Sequence, residues 1–170
     1  AEQSGLSVAA LRYPNIYGPG QSGTRSTGVI AIFMHQMLRG LPVTIYGDGS
    51  ASYQYLYIDD LIRAHDAVLP WFDTGTPSFT LCNLNGFPAT IFDLISRVRQ
   101  CVPAWTKTPN FGYPRPGEQQ LISMVGDSAE KAFGWAPGVD LSTGIGHVAD
   151  AARKLYDEEK AAVAAEDGDS

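Results

Sequence analysis

Cysteine, basic charge and long apolar runs are all scarce in this sequence. Its 170 residues include two cysteines, Cys82 and Cys101, which are too few for a disulfide framework or a four-cysteine metal site. We therefore expect both thiols to be buried structural groups, which fits a reducing cytoplasm. No apolar run reaches the roughly 18 residues that a membrane-spanning helix needs, so we expect no membrane association.

Positive charge is in deficit across the chain. Lysine and arginine total 12 against 18 acidic residues, for a net charge of −6. This balance argues against nucleic acid as a partner, because binding to phosphates needs a basic surface. The three histidines, His35, His65 and His147, are far apart and have no carboxylate or thiolate at ligand spacing, so no metal site is expected.

Apolar periodicity predicts alternating strands and helices. Capping-box spacing at Thr90 and Asp93 marks one helix start, and Asp59 stands where the N-cap of another helix, ending before Pro70, belongs. Alternation of the two element types indicates the α/β class. Strands are predicted at 7–13, 42–46, 53–58, 79–83 and 107–113, and helices at 29–39, 59–69, 90–101, 127–133 and 142–165.

Six motifs follow one another along most of the chain. They are LRYPNIYGPG (11–20), GVIAIF (28–33), TIYGDG (44–49), YLYIDD (55–60), RPGE (115–118) and FGWAP (133–137). In this order and spacing the chain resembles the second half of the NAD-dependent epimerase/dehydratase family. These extended short-chain dehydrogenases remodel nucleotide sugars, and the first and third motifs are most similar to those of UDP-glucose 4-epimerase-like members.

The resemblance implies the C-terminal portion of a Rossmann-type α/β fold, with the N-terminal dinucleotide-binding half absent. Residues 1–13 and 59–84 would be the remnant of the dinucleotide-binding sheet, with its last two parallel strands at 7–13 and 79–83. Residues 14–58 and 85–139 would form the substrate-binding lobe of a single compact unit, followed by a C-terminal helix at 140–165 and a frayed tail at 166–170. We expect neither the family's glycine-rich loop nor its catalytic Tyr-x-x-x-Lys pair in this chain.

The family's motifs also imply roles for residues of the substrate lobe. A nucleotide sugar needs a donor fork for its diphosphate, an acceptor for its ribose and an aromatic or backbone surface for its base. By position, Arg115 would bind the diphosphate and Glu118 the ribose, where the family more often has Asp. Thr44 and Tyr46 would flank a uracil-type base. The alternatives are a surface ion pair for Arg115 and ordinary strand packing for Thr44 and Tyr46.

Five further residues match positions that contact ligands in the family. Asn15 would reach the phosphate or sugar of the substrate, while Val29 and Ile30 would close over the nucleotide. Tyr13 and Pro14 would lie against the nicotinamide face of NAD. Turn chemistry at Asn15 and hydrophobic packing at Val29 and Ile30 are the competing explanations. Tyr13 and Pro14 would be the only direct contacts with NAD, so we do not expect this chain alone to bind the cofactor.

One position departs from the family pattern. Where the family usually reads Gly-Asp-Gly-x-x-x-Arg-Asp-Phe, this chain reads GDGSASYQY over 47–55. Tyr53 thus replaces an arginine that helps to bind the diphosphate, a contact worth about 1.5–3 kcal/mol. Tyr53 either donates a hydrogen bond to a phosphate oxygen or stacks on a ring, and the sequence leaves both open.

The implied activity of the intact family is epimerisation of a nucleotide sugar, with NAD removing and returning a hydride through a keto-sugar intermediate. We predict that this chain is the substrate-binding part of such an epimerase and is inactive alone. A dehydratase or decarboxylase fragment, or a non-catalytic nucleotide-sugar-binding or interaction module, are the alternatives. An open edge beside the strand at 7–13 also predicts self-association, though not through the family's usual dimer helices.

Overall fold

The structure, a computed structural model, describes residues 5–24, 28–73, 78–117, 121–122 and 126–168, and strands and helices alternate along it as predicted. Thirteen elements follow one another along the described residues. They are β1 (Val8–Arg12), β2 (Asn15–Tyr17), α1 (Val29–Leu38), β3 (Thr44–Tyr46), β4 (Ser52–Tyr57), α2 (Ile58–Phe72), β5 (Phe79–Asn83), β6 (Phe87–Thr90), α3 (Ile91–Cys101), β7 (Asn110–Gly112), β8 (Leu121–Ile122), α4 (Ser128–Phe133) and α5 (Leu141–Gly168).

The strands form three small sheets. β1 pairs with β5 and β3 with β7, both in parallel. The third sheet has the order β2-β4-β6, and β8 also pairs with β4 in parallel. The two parallel strands that the resemblance implies at 7–13 and 79–83 are therefore present as neighbours.

The chain divides into two compact units. The first comprises residues 1–16, 52–89 and 119–141, and the second comprises 17–51, 90–118 and 142–170. The predicted lobe boundaries within a single compact unit stay a prediction. β4, expected in the lobe over 14–58, falls in the first unit because it pairs with β6 and β8.

In the first unit, the β1–β5 sheet has one covered face and one open face. Leu11 and Cys82 point into a core that also contains Leu56, whereas Phe79 and Leu81 are 61% and 41% exposed on the other face. A parallel sheet is normally covered on both sides. The open face is thus an unusual apolar surface within the described residues.

The start of α2 corrects one expectation. Its N-cap is Tyr57, without a side-chain cap bond, so the assignment of Asp59 to the cap is wrong. The helix also continues past Pro70 to Phe72, with the proline in its last turns. The carbonyl that loses its N–H partner belongs to Asp66, an exposed residue, so water can bond to it in place of the missing N–H.

Asp60, rather than Asp59, is the structural carboxylate of this segment. It is fully buried, and its Oδ2 accepts hydrogen bonds from the backbone N–H groups of Gly138 (3.0 Å) and Val139 (2.9 Å). Its Oδ1 pairs with the half-exposed Arg63 guanidinium. The indole Nε1–H of Trp135 donates to the Asp60 backbone oxygen at 2.9 Å. Together these bonds tie α2 to the extended segment before α5.

The second unit is built from α1, α3, α5 and the β3–β7 pair. The predicted capping box starts α3: Thr90 Oγ1 accepts the Asp93 N–H at 3.1 Å, and Asp93 Oδ2 accepts the Thr90 N–H at 2.9 Å. In α5, Gly144 is buried against Tyr17, and an added Cβ would lie 2.2 Å from the Tyr17 hydroxyl. The fully buried side chains of this unit include Met34, Ile45, Leu94 and Ile145.

Both cysteines are free thiols. Cys82 is buried as predicted, whereas Cys101 at the end of α3 is only partly buried. Within the described ranges, no helix has the length and apolar character to cross a membrane. The same ranges contain no group of three metal-binding side chains.

Candidate functional site

The β3–β7 pair of the second unit presents a small polar and aromatic face. Ile45 points into the core and is 1% exposed, so its neighbours Thr44 and Tyr46 project from the opposite face of β3. Tyr46 lies opposite Gly112 in the parallel register and remains 47% exposed. An added Cβ on Gly112 would lie 3.1 Å from Cδ1 of the Tyr46 ring. The ring therefore occupies the space that the glycine leaves free.

Arg115 lies directly over this ring. Its guanidinium carbon is 4.3 Å from the centre of the Tyr46 ring, a cation–π contact. The side chain is exposed, and no carboxylate among the described residues forms an ion pair with it. The surface ion pair that competed with the ligand role of Arg115 is thus not found in the described ranges. Glu118, the predicted ribose residue, lies outside the described residues.

A turn that contains two glycines follows β3 and is hydrogen-bonded to β7. Gly47 and Gly49 have φ values of 76° and 77°, and the N–H of Gly47 donates to the Gly112 oxygen at 3.0 Å. Asp48 accepts hydrogen bonds from the Ser50 hydroxyl (2.6 Å) and backbone N–H (3.0 Å). The hydroxyl bond, followed by the backbone bond, lowers the pKa of Asp48 below its usual value. An ionised Asp48 therefore stabilises the turn next to Tyr46.

The two predicted residues at the start of α1 differ in burial. Val29 is half-buried at the first position of α1, whereas Ile30 is only 1% exposed. Burial of Ile30 in the core favours the packing explanation for that residue. Its contact with a nucleotide stays a prediction, as does that of Val29.

The remaining predicted residues lie in the first unit. Tyr13 is 51% exposed between β1 and β2, and Pro14 beside it is within 3.1 Å of the position of a Cβ added to Gly86. Asn15 is the exposed first residue of β2. Tyr53 lies in β4 opposite Ile122 of β8. Tyr13, Pro14 and Asn15 are consecutive and follow the carboxyl end of β1. Asn15 and Tyr53 lie on β2 and β4, which are neighbouring strands of one sheet.

One Tyr-x-x-x-Lys spacing does occur in the chain, at Tyr156 and Lys160, so the expectation that this spacing is absent is wrong. Both residues lie on α5, where the Lys160 ammonium is 5.6 Å from the centre of the Tyr156 ring. The Arg39 guanidinium is 5.0 Å from the same ring and also pairs with Glu159. These contacts fasten α5 to the end of α1, which is a packing role.

The loop after β2 contains a Gly-x-Gly-x-x-Gly spacing, at Gly18, Gly20 and Gly23. A dinucleotide-binding loop of this type leads directly from a strand into a helix. Here α1 begins only at Val29, and the preceding strand β2 belongs to the sheet with β4 and β6. Gly23 instead lies against α1, since an added Cβ would be 2.5 Å from the Ala31 oxygen. The context is that of a packed loop.

Comparison with known proteins assigns the chain to a family. The sequence profile of the NAD dependent epimerase/dehydratase family matches residues 1–82. A putative UDP-glucose 4-epimerase of Methanocaldococcus jannaschii is 32% identical over 148 residues, covering 85% of this chain and 45% of that protein. The chain belongs to the NAD-dependent epimerase/dehydratase family. The UDP-glucose 4-epimerase of Mycolicibacterium smegmatis, another member, is 30% identical over 82% of this chain and 44% of its own length.

Solved structures of the family share the fold. The UDP-glucose 4-epimerase of Thermotoga maritima, determined with UDP-glucose, superposes with a TM-score of 0.83 at 32% identity, over 92% of this chain and 49% of that one. The UDP-glucuronic acid 4-epimerase of Bacillus cereus, determined with UDP-glucuronic acid and NAD, gives a TM-score of 0.75 at 31% identity, over 86% and 45%. The predicted class, part of a Rossmann-type extended short-chain dehydrogenase, is confirmed. This chain spans less than half of the length of these relatives.

Proposed function

We propose that this chain is the substrate-binding part of an NAD-dependent nucleotide-sugar epimerase, an isomerase, and that its ligand is a UDP-sugar. The observation that carries the proposal is the exposed Arg115 guanidinium, held over the half-exposed ring of Tyr46 and without an acidic partner in the described ranges. A planar guanidinium donates to two oxygens of a diphosphate at once. The solved structures of the Thermotoga maritima and Bacillus cereus enzymes were determined with UDP-sugars, which supports this class of ligand.

Each of the other predicted residues has a proposed role that rests on the family's motifs. Thr44 and Tyr46 flank the base, and Val29 and Ile30 close over the nucleotide. Asn15 binds the phosphate or sugar, and Glu118 the ribose. Tyr53 donates its hydroxyl proton to a phosphate oxygen in place of the usual arginine. Replacement of Asn15 by Ala or Tyr53 by Phe should each weaken binding of UDP-glucose, while a matching replacement at Tyr113, which is 95% exposed, should not.

NAD belongs to the proposal for the intact enzyme only. When bound, it would supply reversible hydride transfer with the sugar. In this chain Tyr13 and Pro14, at the end of β1, are the residues proposed to face its nicotinamide. The described residues contain no glycine loop that leads directly from a strand into a helix and would hold the NAD diphosphate. We therefore expect neither NAD binding nor hydride transfer by this chain alone.

A cytoplasmic location is part of the same proposal. Both thiols are free, and Cys101 is partly accessible to solvent. An accessible free thiol is compatible with a reducing compartment. Fractionation of cells that express the native protein, followed by detection with an antibody, tests the location.

Isothermal titration calorimetry of the purified chain with UDP-glucose, UDP and NAD tests the proposed ligand. We expect micromolar binding of both UDP compounds and no heat with NAD. Arg115→Met should weaken UDP binding about 10- to 100-fold, the value of a charge-assisted hydrogen bond. Lys107→Met is the matched control, because Lys107 is exposed in the same unit and carries the same charge. Equal losses in both variants, or no UDP binding by the wild type, contradict the proposed site.

Self-association through the open face of the β1–β5 sheet completes the proposal. Val8, Phe79 and Leu81 are all at least 40% exposed on this face, and contiguous exposed apolar groups favour association. Size-exclusion chromatography with light scattering should show oligomers whose share falls in Phe79→Lys. Leu155→Lys is the control, since Leu155 is 57% exposed on α5 in the other unit. A monodisperse monomer at high concentration would refute this part of the proposal.

A further inference from the structure

The Tyr46 ring limits the positions that the Arg115 guanidinium can adopt. An arginine on the surface samples many rotamers, so its guanidinium is rarely held in one place. Here the guanidinium carbon lies 4.3 Å from the centre of the Tyr46 ring, inside the range of a cation–π contact. No described carboxylate holds Arg115 in an ion pair. Among the residues that the structure describes, the Tyr46 ring is therefore the group that holds this side chain in place.

The backbone explains why the ring stands beneath Arg115. Tyr46 and Gly112 are direct partners in the parallel β3–β7 register, and the ring leans over the glycine. The N–H of Gly47 then donates to the Gly112 oxygen at 3.0 Å. A Cβ added to Gly47 would lie 3.9 Å from the Pro114 side chain. The segment that carries Arg115 is thus held against the corner formed by the end of β3.

We propose that Tyr46 is a positioning residue, whose ring holds the Arg115 guanidinium ready for the diphosphate of the ligand. The proposal rests on the function proposed above and deepens it. It assigns the Tyr46 ring to the arginine, so that Tyr46 flanks the base through its backbone and not through its ring. The tight contact also fits the glycine at position 112, since a Cβ added there would lie 3.1 Å from the ring and would shift it slightly. Loss of the ring should therefore weaken ligands with a diphosphate and leave the bare nucleoside unaffected.

Calorimetry with UDP, and competition experiments with uridine, measure how each variant changes the affinity for the diphosphate ligand and for the bare nucleoside. Tyr46→Leu should raise the Kd of UDP about tenfold, and Tyr46→Phe should stay within about twofold of the wild type. Gly112→Ala retains Tyr46 but shifts its ring, so this variant should also raise the Kd of UDP. Tyr113→Leu is the matched control, because this neighbouring tyrosine is 95% exposed. The double variant Tyr46→Leu/Arg115→Met should bind UDP no more weakly than Arg115→Met alone.

Nuclear magnetic resonance of the ligand-free chain gives a readout that a merely structural role of Tyr46 would not move. The Arg115 Nε–H signal should show an upfield ring-current shift in the wild type and in Tyr46→Phe, and should lose it in Tyr46→Leu. Unchanged UDP affinity in Tyr46→Leu, or an equal loss for UDP and uridine, overturns the positioning role. Absence of UDP binding by the wild type refutes instead the proposed function on which the role rests.

Discussion

Replacement of the buried Asp60 offers the sharpest test of how the first unit holds together. Its Oδ2 accepts two backbone N–H groups, those of Gly138 and Val139, while Oδ1 pairs with Arg63. Asp60→Ala removes a fully buried carboxylate and leaves both N–H donors, whose hydrogen bonds are partly buried, without their acceptor. Each hydrogen bond to a charged group contributes about 1.5–3 kcal/mol, so we expect a loss of about 3–5 kcal/mol in the free energy of unfolding.

The geometry predicts a different result for Asp60→Asn. If the amide oxygen takes the place of Oδ2, both backbone bonds are retained, and only the pairing with Arg63 is lost. Since the Arg63 side chain is 52% exposed, it can turn into solvent. We expect Asp60→Asn to cost about 1–2 kcal/mol, through weaker neutral hydrogen bonds, and Arg63→Met at most about 1 kcal/mol.

Urea unfolding, followed by circular dichroism and tryptophan fluorescence, measures these differences. Trp135 is a suitable probe, because it is 4% exposed and its indole N–H donates to the Asp60 backbone oxygen. An Asp60→Asn variant as unstable as Asp60→Ala would refute the assignment of both backbone bonds to one oxygen. An Arg63→Met variant as unstable as Asp60→Ala would show that the ion pair dominates.

Two further predictions concern the second unit. Gly144→Ala should destabilise this unit, because the new Cβ would lie 2.2 Å from the buried Tyr17 hydroxyl. Gly146→Ala on the same helix meets nothing within 4 Å, so it should stabilise the helix by about 0.5–1 kcal/mol through higher helix propensity. Equal effects of the two variants on the melting temperature would contradict this prediction. Thr90→Ala should cost about 1 kcal/mol through loss of the helix cap. The Thr90 side-chain hydrogen bond lowers the pKa of Asp93 in the folded state, so the stability from this carboxylate is present above its unfolded-state pKa and declines as the pH falls through the folded value. Asp93→Asn should therefore reduce the loss of unfolding free energy that occurs as the pH falls into the acid range. If that loss is the same in Asp93→Asn as in the wild type, the capping box is not its source.

Local signals in the sequence were sufficient for the elements with strong periodicity or caps. The strand at 79–83 and α3 lie where predicted, because an apolar run and a Thr-x-x-Asp cap are decided by neighbouring residues. The short strands β2, β6 and β8 were not predicted. Each has four residues or fewer, and pairing with β4 stabilises them, which no local pattern reveals.

The two aspartates at 59 and 60 show where local reasoning gave the wrong residue. Asp59 has the position of a cap in the sequence, yet the cap is Tyr57 and the carboxylate with structural importance is Asp60. Arg63, three residues further along the helix, is a partner of Asp60 at a spacing that the sequence shows. The other two partners are the backbone N–H groups of Gly138 and Val139, far away in the chain. Backbone groups carry no sequence signal, so no local pattern marks Asp60 as their acceptor.

The same limit applies to the candidate site. Family motifs identify Arg115 and Tyr46 one by one, but their contact depends on parallel pairing of two three-residue strands. The one trace of that contact in the sequence is Gly112, whose lack of a side chain makes room for the ring. This glycine has no positive φ that would mark it as a turn residue, so its importance follows only from the register with Tyr46. The family's motifs thus predict which residues bind a ligand, whereas the strand register determines which of those residues contact one another.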